Sequence, residues 1–215
     1  MTTDFPIKKH HFLLDGPSGK LEVAIDIPKT APFRPITGIV CHPHPLYGGT
    51  MSNKVVTTLS WVFNQLGITT FRFNYRGVGQ SKGSYGNFVG EQEDLACIMA
   101  FIKKHFPQND LWLSGFSFGS YISARGAENN PQVKQLINIA PAVNHVDFYG
   151  LTHVNCPWLV VQGEKDEIVP ADEVITWATA FQDRVTLKLL PQASHFFHGQ
   201  LVSLRQCILM YANTL

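Results

Sequence analysis

Leu111-Trp112-Leu113-Ser114-Gly115-Phe116-Ser117-Phe118-Gly119 is the stretch on which the reading of this chain turns. Residues 111–114 form an apolar run of strand length, and residues 118–128 follow with helical spacing. Between them stands Gly-x-Ser-x-Gly. A chain that passes directly from strand to helix must turn sharply there, holding the serine in a strained backbone conformation. The flanking positions, Gly115 and Gly119, then have no room for a side chain, and the hydroxyl of Ser117 projects at the head of the helix. By composition alone the pattern would arise by accident roughly 7% of the time in a chain this long. The bland alternative is a glycine-flanked surface loop. The strand before and the helix after favour a nucleophile turn.

Outward from this point, apolar runs alternate with segments of helical period, the pattern of a mostly parallel sheet with helices on both faces. Residues 36–41, 70–74, 111–114, 135–139, 158–162 and 185–190 read as strands. Trp158-Leu159-Val160-Val161 is apolar on both alternations, as expected where both sheet faces are covered. An opening antiparallel hairpin is expected from residues 10–14 and 21–27 around Asp15-Gly16-Pro17-Ser18-Gly19. Val55, Val56, Leu59, Val62, Phe63 and Leu66 fall at helical spacing between Ser52-Asn53 and Gly67. Leu95, Ile98, Met99, Ile102 and Phe106 do the same, with Glu91, Glu93 and Asp94 expected in the first turn. Helices also fit residues 118–128, 172–181 and 201–213. With no repeat, low-complexity tract or linker, residues 1–215 read as a single domain of about seven to eight strands.

Composition narrows the function classes. The 215 residues are 45% hydrophobic and 15% charged, which excludes a disordered chain. Seventeen basic against sixteen acidic residues leave a formal charge of +1, with no like-charge run beyond Lys8-Lys9 or Lys103-Lys104. That argues against a nucleic-acid footprint or a polybasic membrane surface. Cys41, Cys97, Cys156 and Cys207 are too scattered for a disulfide framework or a metal knuckle, so reduced thiols are expected. The first six residues carry no apolar run like that of a signal peptide, and no 18-residue apolar window occurs. The expectation is a cytoplasmic protein without membrane insertion, monomeric or a small homo-oligomer, with a small-molecule substrate.

Five segments in fixed order carry a resemblance: His42-Pro43-His44-Pro45-Leu46-Tyr47-Gly48-Gly49, Asn74-Tyr75-Arg76-Gly77-Val78-Gly79-Gln80-Ser81, the Ser117 turn, Gly163-Glu164-Lys165-Asp166, and Ser194-His195. Over essentially its whole length the chain resembles the α/β-hydrolase superfamily, and within it the small lidless members with a His-Pro-His-Pro oxyanion loop. The resemblance implies an α/β-hydrolase fold and a serine nucleophile served by a histidine base and an orienting carboxylate, in the chain order Ser, Asp, His. Asp166 matches the acid's position, just past the strand at 158–162 and on the same rim as Ser117. Glu164 sits too near the strand, and Asp172 suits the cap of the next helix. Among nine histidines, His195 lies where the family carries its base, in the loop after the strand at 185–190. His198 is its rival; His10, His11 and His105 lie elsewhere.

A developing oxyanion needs two donors. The resemblance implies the N–H of Phe118, the residue after the nucleophile, and one from the loop after residue 41. Pro43 and Pro45 have no N–H. Alignment of residues 44–48 with the His-Gly-x-x-Gly loop of relatives places the second donor at Leu46, with Tyr47 as the alternative because proline replaces the usual glycine. His42-x-His44 lacks the Asp-His that a metallohydrolase pattern would add, so both histidines are read as shaping the loop. No metal and no cofactor are expected. Gly77-Val78-Gly79-Gln80-Ser81-Lys82-Gly83 is one residue too long for a dinucleotide fingerprint, and no phosphate-binding loop motif occurs.

Only residues 143–156 separate the strand at 135–139 from the next, too few for a cap domain. An open cleft walled by Tyr47, Phe116, Phe118, Phe148, Tyr149 and Phe196 is expected, suited to small acyl esters or thioesters. A peptidase or amidase on short substrates is the alternative within enzymes. A non-catalytic binding protein on the same scaffold is the alternative outside them.

Overall fold

A computed structural model describes residues 11–29 and 32–214. Eight strands form one sheet in the order β1-β2-β4-β3-β5-β6-β7-β8. They are β1 His11–Gly16, β2 Gly19–Asp26, β3 Ile36–Cys41, β4 Thr69–Phe73, β5 Asp110–Phe116, β6 Val133–Ile139, β7 Trp158–Gly163 and β8 Val185–Leu190. The β1–β2 and β2–β4 pairs are antiparallel; β4, β3, β5, β6, β7 and β8 run parallel. The helices are α1 Lys54–Gln65, α2 Val89–His105, α3 Phe118–Ala127, α4 Ala171–Ala180 and α5 Leu201–Ala212, with a 3₁₀ turn at Pro45–Tyr47. This is the α/β-hydrolase architecture.

Side-chain alternation distributes the core over both faces. Leu111 and Leu113 of β5, and Trp158 and Val160 of β7, pack with Leu95 and Ile98 of α2, Ile122 of α3 and Trp177 of α4. Trp112, Phe116, Leu159 and Val161 point the other way, to Val55, Leu59 and Phe63 of α1 and Leu204 and Ile208 of α5. A strand buried on both faces must be apolar at every position, which is why these runs show no period. The connection from β6 to β7, residues 140–157, contains no helix or strand beyond a single bridge between Glu128 and Val154, so no cap covers the sheet there.

Three boundaries differ from the sequence expectation. The opening hairpin turns in two residues, Pro17-Ser18, because pairing continues through Asp15↔Lys20 and Gly16↔Gly19, with Gly19 in the left-handed region at φ 106°. His10, placed in the first strand by its sequence, lies outside the described residues, as do Met1–Pro6. Helix α2 starts at Val89, so only Glu91 falls in its first turn. Glu93 and Asp94 instead hold Arg76 of the β4–α2 loop: Asp94 accepts from the Arg76 backbone N–H at 2.9 Å and from Nη2 at 2.8 Å, and Glu93 from Nη2 at 2.9 Å. Asp172 sits inside the first turn of α4, and the cap position is Pro170. Among the described residues no helix is long and apolar enough to cross a membrane.

Parallel strands all present their carboxyl ends along one edge. The loops after β3, β4, β5, β7 and β8 therefore meet there, and they carry the five segments that the sequence singled out.

Candidate active site

Ser117 sits between β5 and α3 with φ 54° and ψ −117°, a conformation that L-residues rarely adopt. The turn is held by Ser117 N–H donating to Ile139 O at 2.9 Å and by the Ser120 hydroxyl, which donates to Gly115 O. Both flanking glycines are required by contact. A Cβ at Gly115 would collide with the Gly119 carbonyl, and one at Gly119 with the carbonyls of Cys41 and His42. That second approach lays the start of the β3 loop against the head of α3.

His195, in the β8–α5 loop, and Asp166, in the β7–α4 loop, are both buried. His195 Nδ1 lies 2.8 Å from Asp166 Oδ2, and His195 Nε2 lies 3.1 Å from Ser117 Oγ. An ionised carboxylate can only accept, so Nδ1 donates to it and Nε2 is left to accept the Ser117 hydroxyl. Asp166 also accepts from the amides of Ile168 (2.9 Å) and Val169 (2.7 Å) on Oδ1, and from Gln162 Nε2 (3.0 Å) on Oδ2. Burial works to raise the Asp166 carboxyl. The bonds from His195, Val169 and Ile168 outweigh it and hold the group below its ordinary value. Glu167 accepts from the His195 backbone N–H at 3.2 Å. His198 and Glu164 are exposed, and His198 packs on Phe196; neither takes part in this chain of bonds.

The His-Pro-His-Pro segment forms two ordered supports. His42 is fully buried; its Nδ1 donates to Pro43 O at 2.6 Å and its Nε2 accepts from Tyr75 N–H at 3.1 Å, tying the β3 loop to the β4 loop. Burial pushes its pKa down to about 3, so the ring is neutral. Both nitrogens are engaged within the protein, and among the described residues no group of three His, Cys, Asp or Glu is arranged to hold a metal ion. His44 caps the 3₁₀ turn. Its Nδ1 accepts from Leu46 N–H at 3.2 Å, while its carbonyl accepts from Tyr47 N–H at 3.1 Å and Gly49 N–H at 3.0 Å. The Phe118 N–H, first in α3, has no partner within the helix by its position.

Of the aromatics expected to wall the cleft, Tyr47, Tyr149 and Phe196 are exposed, but Phe116, Phe118 and Phe148 are buried. Phe148 belongs to the core, packed on Tyr121, Trp158 and Trp177. The sequence reading missed Gln162, Glu167, Tyr85 and Phe88. Gln162 was findable, being the one polar side chain ending the apolar run Trp158-Leu159-Val160-Val161.

A family model described as serine aminopeptidase, S33, matches residues 44–151. An α/β serine hydrolase homologue from Coxiella burnetii is 46% identical, covers 98% of each chain and superposes with a TM-score of 0.90. A lidless α/β serine hydrolase from Xanthomonas campestris is 44% identical over 91% of this chain and 89% of that one, with a TM-score of 0.85. An uncharacterized protein of Rickettsia prowazekii is 35% identical over 193 residues, 85% of this chain and 80% of that protein.

Proposed function

The chain belongs to the α/β serine hydrolases of the serine aminopeptidase S33 family, and from that premise we propose that it cleaves small acyl esters or thioesters through an acyl-enzyme intermediate. What supports the reading is one observation: the unbroken hydrogen-bond chain Ser117 Oγ, His195 Nε2, His195 Nδ1, Asp166 Oδ2. In this mechanism His195 takes the Ser117 proton as Oγ attacks the carbonyl carbon. The same proton passes to the departing alcohol or thiol as its bond to carbon breaks. Water repeats the sequence on the acyl-enzyme and releases the carboxylic acid. Asp166 holds His195 in the required tautomer and stabilises the imidazolium that forms.

The oxyanion is received by the Phe118 and Leu46 N–H groups, each contributing about 3–4 kcal/mol. Leu46 is favoured over Tyr47 by what each amide must give up. Rotation of the His44 side chain frees Leu46, whereas Tyr47 is bonded to a backbone carbonyl of the 3₁₀ turn. A fluorophosphonate probe tests the core of the proposal. Labelling is expected in the wild type and lost in Ser117→Ala; labelling that persists in the variant overturns it. The S33 family match favours a second reading, an amidase on short peptides. Side-by-side rates on acyl methyl esters, acyl-CoAs and aminoacyl anilides separate the two.

A further inference from the structure

Apart from His44, which holds the Leu46 N–H, the aromatic side chains clustered on the functional rim have no part in the reaction just described. The Phe118 ring, nearly buried, forms the floor of an aromatic group. Phe88 stacks on it at 4.8 Å between centroids, the His44 ring lies at 4.7 Å, and the Tyr85 ring at 6.3 Å. His44 in turn contacts Tyr47 at 4.6 Å and Tyr85 at 5.2 Å. His44, Tyr85 and Phe88 are half-buried, and Tyr47 is 86% exposed. The cluster thus presents aromatic surface to solvent while resting on the residue that follows the nucleophile.

Its position relative to the reaction follows from proton transfer. The leaving group must lie against His195 Nε2, which protonates it, and the oxyanion lies between the amides of Phe118 and Leu46. The remaining substituent of the tetrahedral carbon is the acyl group. It is directed away from His195, and the aromatic surface assigned to it is the cluster resting on Phe118, the residue after Ser117. The opposite flank, where the exposed Phe196 ring packs edge-on against His195, is left for the leaving group.

The Tyr85–Phe88 segment of the wall is held rigidly. Asn87 and Phe88 are consecutive non-glycine residues at positive φ, 51° and 70°. Glu91 accepts from the Gly86 amide at 2.8 Å, and Gly90 leaves no space for a side chain against the Arg76 guanidinium. A ring fixed before the substrate arrives loses little freedom on binding. Aromatic faces also favour an aromatic guest over an aliphatic one of equal area, through offset and edge-on contacts.

We infer that the acyl subsite selects aryl groups: the substrate is an ester or thioester of an arylalkanoic acid, its ring packed on Tyr85 and Phe88. This rests on the serine-hydrolase reading above. The test compares methyl phenylacetate with methyl cyclohexylacetate, which share a leaving group and nearly a volume, and whose carbonyls are insulated from the ring. The wild type is expected to favour the phenyl ester by about tenfold in kcat/KM, the upper range for an aromatic pair. Tyr85→Leu and Phe88→Leu are expected to bring that ratio toward one, while Tyr85→Phe, which keeps the ring, retains it. If Ser117 takes the fluorophosphonate label and the wild-type ratio is near one, the aryl assignment falls and the hydrolase reading stands. A ratio that survives both leucine variants likewise overturns the assignment. If Ser117 takes no label, both readings fall together.

Discussion

Asp166 accepts four hydrogen bonds, two on each oxygen, and three of the donors come from its own strand end and turn: Gln162, Ile168 and Val169. The fourth, His195, is therefore offered a carboxylate whose orientation is already set. Gln162 is fully buried, donates also to Val169 O at 2.9 Å, and has an Oε1 atom with no partner. Turning the amide over would face that oxygen to the carboxylate, so Asp166 itself dictates which way Gln162 lies. Leaving a buried carbonyl unpaired costs about 1–3 kcal/mol, a cost consistent with a positioning role. Gln162→Leu is expected to lower kcat about tenfold, since the pair behind His195 loosens while the substrate surface is untouched. KM should change little. Asp166→Asn removes the charge and favours the wrong tautomer of His195, so kcat should fall on the order of 10³–10⁴-fold. Steady-state kinetics on an ester both variants bind will check the pair; equal losses would deny Gln162 a merely supporting part.

At the scale of elements, the decisive contact is Arg76 with α2. Asp94 is buried and accepts from the Arg76 backbone and guanidinium together, and Glu93 pairs with the same guanidinium, so the β4–α2 loop and its aromatic residues are anchored to the helix through Arg76. Arg76→Met should destabilise the fold by about 3–5 kcal/mol, because it leaves a buried carboxylate uncompensated. Arg76→Met with Asp94→Leu should recover much of that loss, and urea unfolding of the three proteins reads both differences. The same contact shows where sequence reading reached and where it stopped. β3 and β8 were legible to the residue, and α1 to within a residue of its start, because apolar runs and an Asn53 cap are local signals. The start of α2 was not. Its cap residue is Phe88, whose side chain makes no cap bond, and Glu93 and Asp94 serve Arg76, seventeen and eighteen residues away in sequence. Ser117, Asp166 and His195 could be chosen from motif order, and the structure brings the three together. Tyr85 and Phe88 could not, since only tertiary packing carries them to the Ser117 rim.

Across the whole molecule, buried groups with altered protonation bound the stable pH range from both sides. His42 has its pKa lowered from 6.5 to about 3, so the unfolded chain binds a proton between those values that the native one refuses. Its contribution is complete above about pH 6.5 and is lost as pH falls toward 3, at up to about 1.4 kcal/mol per pH unit. Asp166, also lowered, adds to the loss only below its ordinary value of 3.8. The alkaline side has the opposite sign. Burial raises Cys41 from 9.0 to about 12 and Cys156 from 9.0 to about 11, so both thiols stay neutral in the native state while the unfolded chain ionises them. Their contribution is present below pH 9 and lost as pH rises through that window. Unfolding free energy should therefore be level between about pH 6.5 and 9 as far as these groups determine it, falling on either side. His42→Gln should flatten the acid limb, at the expense of the bond to Tyr75 N–H, and Cys41→Ala the alkaline one. Because the two substitutions act on opposite limbs, each is the other's control: a variant that shifts the whole curve without changing its own limb's slope would remove that residue from the account. Urea titrations from pH 4 to 11 measure both slopes in one series.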